Sequence, residues 1–144
     1  LDYDAIVISD YNKGFLTLHD IAYIGKTAKC PTFLDTKKKL GDWCSNVTYI
    51  KINNLEHEKN FETLPLYPML QDKLIVTKGK HGCEHKGQLY ATTDVPVKDV
   101  SGAGDTFMSG LVVEYIKNND IDKAIQFAQE CTTIVVQKPG VATI

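Results

Sequence analysis

Apolar residues come in short clusters along the chain, and the spacing within the clusters changes from strand-like to helix-like. Ala5 to Ser9 is a short β-branched run and reads as a buried strand. Thr17 is placed to cap a helix over 18–29, with Ile21, Ile24 and Ala28 on one face, until Pro31 ends it. Thr32 to Leu34, Val47 to Ile52 and Lys73 to Thr77 read as three further strands. Between them, Leu40 to Asn46 reads as a short irregular or helical piece with Trp43 as a packing residue. Leu64 to Leu70, interrupted by Pro65 and Pro68, reads as a weak, irregular segment. Cys83 to His85 and Gln88 to Ala91, joined at Lys86-Gly87, predict a hairpin. Val95 to Val97 predicts a short strand. Helical spacing follows over 104–117, at Phe107, Leu111 and Tyr115, and Asn118-Asn119 breaks it. Asp120 starts a last helix with Ile121, Ala124, Ile125, Ala128 and Cys131 on one face. Strands alternating with helices predict a three-layer α/β/α domain with a mainly parallel sheet.

Polar residues gather where the predicted strands stop, the edge at which open α/β sheets bind ligands. Asp10 and Lys13 follow the first strand in a turn closed by Gly14. They read either as substrate or phosphate contacts or as a solvated turn. Asp35 and Lys37 follow the second strand, while Lys38 and Lys39 read as solvated charge. Asn53 and Glu56 follow the third. Three residues apart at a helix start, they face the same way. Such a pair can hold a hydrated Mg²⁺ beside phosphates, usually through its waters. It can equally be a capping box. After the fourth strand, Thr77, Gly79 and Gly82 form a loop that suits either a phosphate approach or a plain β-turn.

The chemistry concentrates in Val97 to Gly110. Gly102, Ala103 and Gly104 are three small residues between a predicted strand and a predicted helix. Small residues allow a sharp turn and close approach to a ligand. The helix that follows presents N–H groups without intrahelical partners, an anion site reinforced by the dipole. Asp105 follows at once. A carboxylate on an anion hole makes sense if it takes a proton from a hydroxyl while the amides of Gly102, Ala103 and Gly104 stabilise a transferring phosphoryl group. The simpler reading is a tight turn with an aspartate favoured by the helix dipole.

Composition narrows the rest. The chain has 144 residues, 43 % hydrophobic and 24 % charged, with net charge −2. That suits one soluble domain and gives no basic field for nucleic acid or membrane. The four cysteines have no C-x-x-C spacing. This argues for buried free thiols in a reducing compartment, hence a cytoplasmic protein, rather than zinc or disulfides. No apolar run approaches the ~20 residues of a membrane span. Leu1 runs almost directly into a strand with no initiator Met, so the chain reads as a fragment.

The string Asp99-Val-Ser-Gly-Ala-Gly-Asp105-Thr106-Phe107 resembles the D-T-x-G-A-G-D signature of ribokinase-like (PfkB) carbohydrate kinases, with Val100 in place of the usual Thr. Thr77 to Gly82 resembles the family's T-x-G-x-x-G, and Asn53 to Glu56 its N-x-x-E. Ser9 to Gly14 resembles the S-D-Y-x-K-G of the heptose 7-phosphate kinase branch, and Asp35-Thr36-Lys37 its D-P-K, with Thr36 replacing Pro. The resemblance implies a ribokinase-like fold, with residues 1–144 as the C-terminal part of a sugar kinase domain. It implies ATP and Mg²⁺, with Asp105 as base and Gly102 to Gly104 as anion hole. Thr77, Gly79, Gly82 and Asn53 would lie by the nucleotide, Asn53 and Glu56 by the metal. Asp10, Lys13, Asp35 and Lys37 would lie by the substrate, a heptose 7-phosphate used for lipopolysaccharide precursors. It further implies a missing N-terminal half that carries most sugar contacts, and leaves open a homodimer and a fused nucleotidyltransferase domain. The GAGD motif is shared with ribokinases, fructokinases and nucleoside kinases, so another sugar or nucleoside is the alternative substrate. A nucleotide-binding fragment without turnover is the alternative from outside enzymology. The ending Pro139 to Thr143 resembles the family's segment near the adenine, and the resemblance implies that the last helix borders the adenine pocket.

Overall fold

The structure is a computed structural model and describes residues 2–139. Six strands, Ile6–Asp10 (β1), Thr32–Thr36 (β2), Tyr49–Asn53 (β3), Leu74–Thr77 (β4), Cys83–His85 (β5) and Gln88–Tyr90 (β6), form one sheet in that order. The pairs β1–β2, β2–β3 and β3–β4 are parallel. Helices Leu18–Thr27 (α1) and Asn54–Lys59 (α2) sit in the crossovers, and Ala103–Asn118 (α3) and Ile121–Val136 (α4) follow the strands. The chain divides into two compact units. One runs to Lys78 and includes Glu84–Gln88; the other comprises Gly79–Cys83 and the residues from Leu89 onward.

In the first unit the parallel register puts Ile8, Leu34, Ile50 and Leu74 in one row across the sheet. Side chains alternate faces with period two, so Ile52 and Val76 join the same face. This face buries Ile21 of α1, Cys44, Leu64 and Leu70. Full burial of each such side chain stabilises by roughly 1.5–3 kcal/mol. The opposite face carries Phe33, stacked on Tyr49 at 5.8 Å, and His85 edge-on to Tyr49 at 6.0 Å. Helix α1 begins as the sequence predicts: Thr17 accepts from the Asp20 amide while Asp20 accepts from the Thr17 amide. It ends at Thr27, two residues short of the predicted limit.

In the second unit α3 and α4 pack closely. A Cβ on Gly110 would stand 3.2 Å from Ala128 Cα and 3.3 Å from Cys131 Sγ, so glycine sets the approach of the two helices. Asp120 caps α4, as predicted, by accepting from the amides of Asp122 and Lys123.

Several boundaries differ from the sequence expectation. Strand β2 runs to Thr36 rather than Leu34, so Asp35 lies within the strand and not in the turn beyond it. The predicted strand over Val95–Val97 is absent. Pro96 lacks an N–H and cannot donate to a ladder. The chain is secured just downstream, where the amides of Lys98 and Asp99 both donate to the Val136 carbonyl. The weak segment over 64–70 forms two 3₁₀ helices, Leu64–Leu66 and Pro68–Lys73, each with a proline in its first turn. Four free cysteines are present: Cys44, Cys83 and Cys131 are buried and Cys30 is half-buried. No helix of the described residues is long and apolar enough to cross a membrane.

Two glycines in left-handed backbone separate strain from packing. Gly82 has φ +95°, and a Cβ there would clash with the Tyr90 carbonyl oxygen. Gly87, in the two-residue turn between β5 and β6, has φ +78° with nothing within 4 Å. Gly87→Ala is expected to cost about 1–2 kcal/mol, the left-handed penalty alone. Gly82→Ala adds a backbone clash and is expected to cost clearly more. Urea midpoints of the two variants check this; equal losses would show that the Gly82 contact relaxes freely.

Candidate active site

At the carboxyl ends of β1–β3, charged residues are tied to one another. Asp10, 6 % exposed, closes β1. Its Oδ1 accepts from the Asn12 amide at 3.0 Å. Its Oδ2 accepts from Thr36 Oγ1 and from Lys38 Nζ, each at 2.7 Å. Burial pushes the Asp10 carboxyl up, but these donors and the Lys38 charge outweigh it and hold it below the usual value. Thr36, which stands where the resembled motif has proline, thus supplies a hydroxyl that proline lacks. Lys38 corrects the sequence reading: its side chain is 12 % exposed and ion-paired, not solvated. A half-buried lysine here is tolerated because its charge and donors meet Asp10. Lys13 lies exposed on the turn that Asn12 enters with φ +57°.

Asp35 and Lys51 face each other across β2 and β3, 3.4 Å apart. Asp35 Oδ1 is buried and has no hydrogen-bond partner. Burial raises the Asp35 carboxyl above its usual range, against the pull of Lys51 and Lys37. Lys37 reaches Glu56 Oε2 at 2.6 Å, and that bond raises the lysine's affinity for its proton.

Asn53 and Glu56 form a reciprocal capping box. Asn53 Oδ1 accepts from the Glu56 amide and Glu56 Oε1 from the Asn53 amide, both at 2.8 Å. With Lys37 on the other oxygen, Glu56 has a chain donor on each side. No group of three or more His, Cys, Asp or Glu among the described residues is arranged to hold a metal. A divalent ion fits Asn53 and Glu56 only as outer partners, reached through water. Thr77 closes β4, and its hydroxyl donates to the Ile52 carbonyl at 3.4 Å.

In the second unit the small-residue turn has the geometry its composition calls for. Gly102 is the N-cap of α3 with φ +75°, a conformation glycine adopts without strain. Asp99 Oδ1 accepts from the Ser101 amide at 2.7 Å, and the Gly102 carbonyl accepts from Thr106 at 2.9 Å. Ala103, Gly104 and Asp105 make the first turn of a 16-residue helix, with Asp105 exposed. The helix starts at Ala103, one residue before the sequence placed it. Its N-terminal end carries the partial positive charge of the dipole.

Beside this turn is a cavity of about 450 Å³ whose lining includes Gly79, Val95, Val97, Ala103, Thr132 and Val136. Lys80, His81, Asp94 and four threonines share the lining with the valines and small residues. Gly79 and Ala103, from two separate motifs, therefore meet at one cavity. Gly82 does not line it; it is buried against Tyr90. Sequence reasoning missed Val95 and Val97 as cavity wall, having placed them in a strand. The last helix was expected beside a binding pocket, but Thr132 and Val136, neighbours at i, i+4 on α4, were not singled out. Of the terminal segment read as lying near adenine, residues 140–143 fall outside the described residues.

The sequence matches the pfkB family carbohydrate kinase over residues 15–144. The bifunctional protein HldE of Marinomonas sp. (strain MWYL1) is 30 % identical over 98 % of this chain and 34 % of its own. The chain thus spans about a third of the length of that curated relative. Among solved structures, a ribokinase from Thermotoga maritima superposes with a TM-score of 0.76 at 16 % identity, over 94 % of this chain and 52 % of that one. The Arabidopsis thaliana ribokinase complexed with ribose and ATP gives 0.74 at 17 % identity, over 96 % and 51 %. These likenesses establish a ribokinase-like α/β fold, and with the match over residues 15–144 the chain belongs to the pfkB family of carbohydrate kinases.

Proposed function

We propose that the chain is the C-terminal part of an ATP-dependent sugar kinase domain and carries its phosphotransfer centre. The observation that carries the reading is the Gly102 turn. A left-handed glycine opens a 16-residue helix with Ala103, Gly104 and Asp105 in its first turn, next to an apolar cavity. Asp105 takes the proton from the acceptor hydroxyl. The amides of the Gly102–Gly104 turn and the α3 dipole stabilise charge on the phosphoryl oxygens in flight. The nucleotide base occupies the cavity beside Gly79, Val97 and Val136. Glu56 and Asn53 contribute through water to Mg²⁺, which when bound neutralises phosphate charge. The remaining sugar contacts come from a further half-domain, in keeping with neighbours of which this chain covers about half.

The acceptor we propose is a heptose 7-phosphate. The support is the similarity to HldE over nearly the whole chain, together with Asp10, Lys13, Asp35 and Lys37 in the pattern of that branch. A panel of sugars and sugar phosphates, offered to a form of the protein with a complete sugar cleft, is expected to show phosphorylation of heptose 7-phosphate above ribose or fructose. Preference for an unphosphorylated pentose would move the protein to the ribokinase branch. A nucleotide-binding fragment without turnover predicts no transfer to any of them.

Asp105→Asn keeps the shape of the side chain and removes the proton acceptor. In the same active form, turnover is expected to fall by roughly 10²–10⁴. Nucleotide affinity is expected to hold or rise, since a negative charge near phosphates is lost. Stability is expected to change by no more than about 1 kcal/mol. If the aspartate only favours the helix start, stability falls and turnover per folded molecule stays intact, and measuring both on one preparation decides.

A further inference from the structure

The bonds around Asp10 do more than neutralise a charge. Asp10 is 6 % exposed, and its two oxygens already accept three bonds. Oδ2 takes Thr36 Oγ1 and Lys38 Nζ, each at 2.7 Å. Thr36 Oγ1 in turn accepts from the Lys38 amide at 3.0 Å. Asp10, Thr36 and Lys38 therefore close a ring in which Lys38 is held by its main chain and its ammonium at once. The Lys37 amide donates to the Asp10 carbonyl at 3.1 Å, so the main chain of Asp10 is tied to the same segment.

The other oxygen of Asp10 governs the turn that leaves β1. Oδ1 accepts from the Asn12 amide at 3.0 Å. Asn12 has φ +57°, a left-handed conformation that costs any residue with a Cβ, though asparagine enters it more readily than most. A hydrogen bond to an ionised carboxylate is of the stronger kind, and this one holds the amide of the residue that makes the turn. Lys38 and Thr36 favour the ionised form that accepts it. Gly14, at φ +87°, completes the turn.

We propose that Thr36 and Lys38 are positioning residues: acting through Asp10, they hold the turn 11–14, which carries Lys13, in the conformation that meets the acceptor. Asp10 serves the turn and not the substrate. The inference rests on the reading of this turn as an acceptor contact for its consequence, and on the bonds of the first unit alone for the conformation. Thr36 stands where the resembled heptose-kinase motif has proline, and proline has no hydroxyl to close the ring. This chain therefore orients the turn by a device that the proline motif lacks.

The test uses Lys38→Met, which removes the charge, and Thr36→Val, which keeps the shape and removes the hydroxyl. Lys38→Arg restores a charged donor and serves as the rescue; Lys39→Gln, at an exposed position, is the control. A carboxylate buried without its counter-charge costs stability. Thr36→Val keeps the ion pair, so it carries the test if Lys38→Met does not fold. In the form of the protein with a complete sugar cleft, hydrogen exchange of the Asn12 amide is expected to quicken by about tenfold in both variants, while the Leu34 amide in β2 exchanges as before. Affinity for heptose 7-phosphate, read by calorimetry without nucleotide or turnover, is expected to fall by about tenfold in both. It is expected to return in Lys38→Arg and to be unchanged in Lys39→Gln, and ATP affinity is expected to hold throughout. An Asn12 amide that exchanges at the parent rate in every folded variant overturns the proposal. Faster exchange with unchanged acceptor affinity overturns it as well, as does an equal loss of acceptor and ATP affinity, which marks damage to the fold at large. The kinase reading fails by a different result: a parent protein that binds heptose 7-phosphate and transfers phosphate to no sugar.

Discussion

The parallel register of β1 to β4 is the constraint on which the first unit depends. Parallel strands all end at the same edge, so residues distant in sequence become neighbours there. Asp10 is matched with Thr36 and Asn53 with Thr77. A one-residue slip of β2 would turn Leu34 out of the core and carry Thr36 away from Asp10. The same register that fills the apolar core therefore also builds the polar edge. Sequence order and strand order coincide, so each crossover returns the next strand beside the last.

Charge at that edge is handled by pairing rather than by solvation. Asp10 with Lys38, Asp35 with Lys51 and Lys37 with Glu56 are three opposite-charge pairs from strands, the loop after β2 and helix α2. They are not equivalent. Asp10 is surrounded by donors and kept readily ionised, whereas Asp35 keeps one buried oxygen unpartnered and its carboxyl is raised by burial. Two aspartates on neighbouring strands, Asp10 closing β1 and Asp35 within β2, thus hold their protons differently. Burial raises both carboxyls; at Asp10 the bonds from Lys38, Thr36 and Asn12 outweigh it, and at Asp35 the pull of Lys51 and Lys37 does not.

The second unit solves a different problem. Its turn must bend sharply and then present a helix start, and glycine at 102 meets the first demand at φ +75°. The Asp99 side chain and the Val136 carbonyl hold the approach to that turn without any strand. A segment with Pro96 in it gains its order from these few bonds. The result is an apolar cavity wall on an irregular backbone, close to the helix end that attracts negative charge.

The sequence by itself determined the elements whose signals are local. Apolar runs marked β1 to β4, Thr17 and Asp120 marked their helix starts, and Lys86-Gly87 marked the hairpin turn. The small-residue string before Asp105 was legible because steric demand at a tight turn is written in residue size. Tertiary structure decided what depends on partners far along the chain. Lys38 read as solvated charge, because nothing near it in sequence shows that Asp10, 28 residues away, lies within 2.7 Å. Val95 to Val97 had strand composition but found no ladder. Asn53 and Glu56 fitted both a cap and a metal partner by spacing, and only the folded backbone showed the reciprocal bonds of the cap. Local sterics fix a residue's own conformation, but a charge or a strand edge takes its role from whatever the fold brings to meet it.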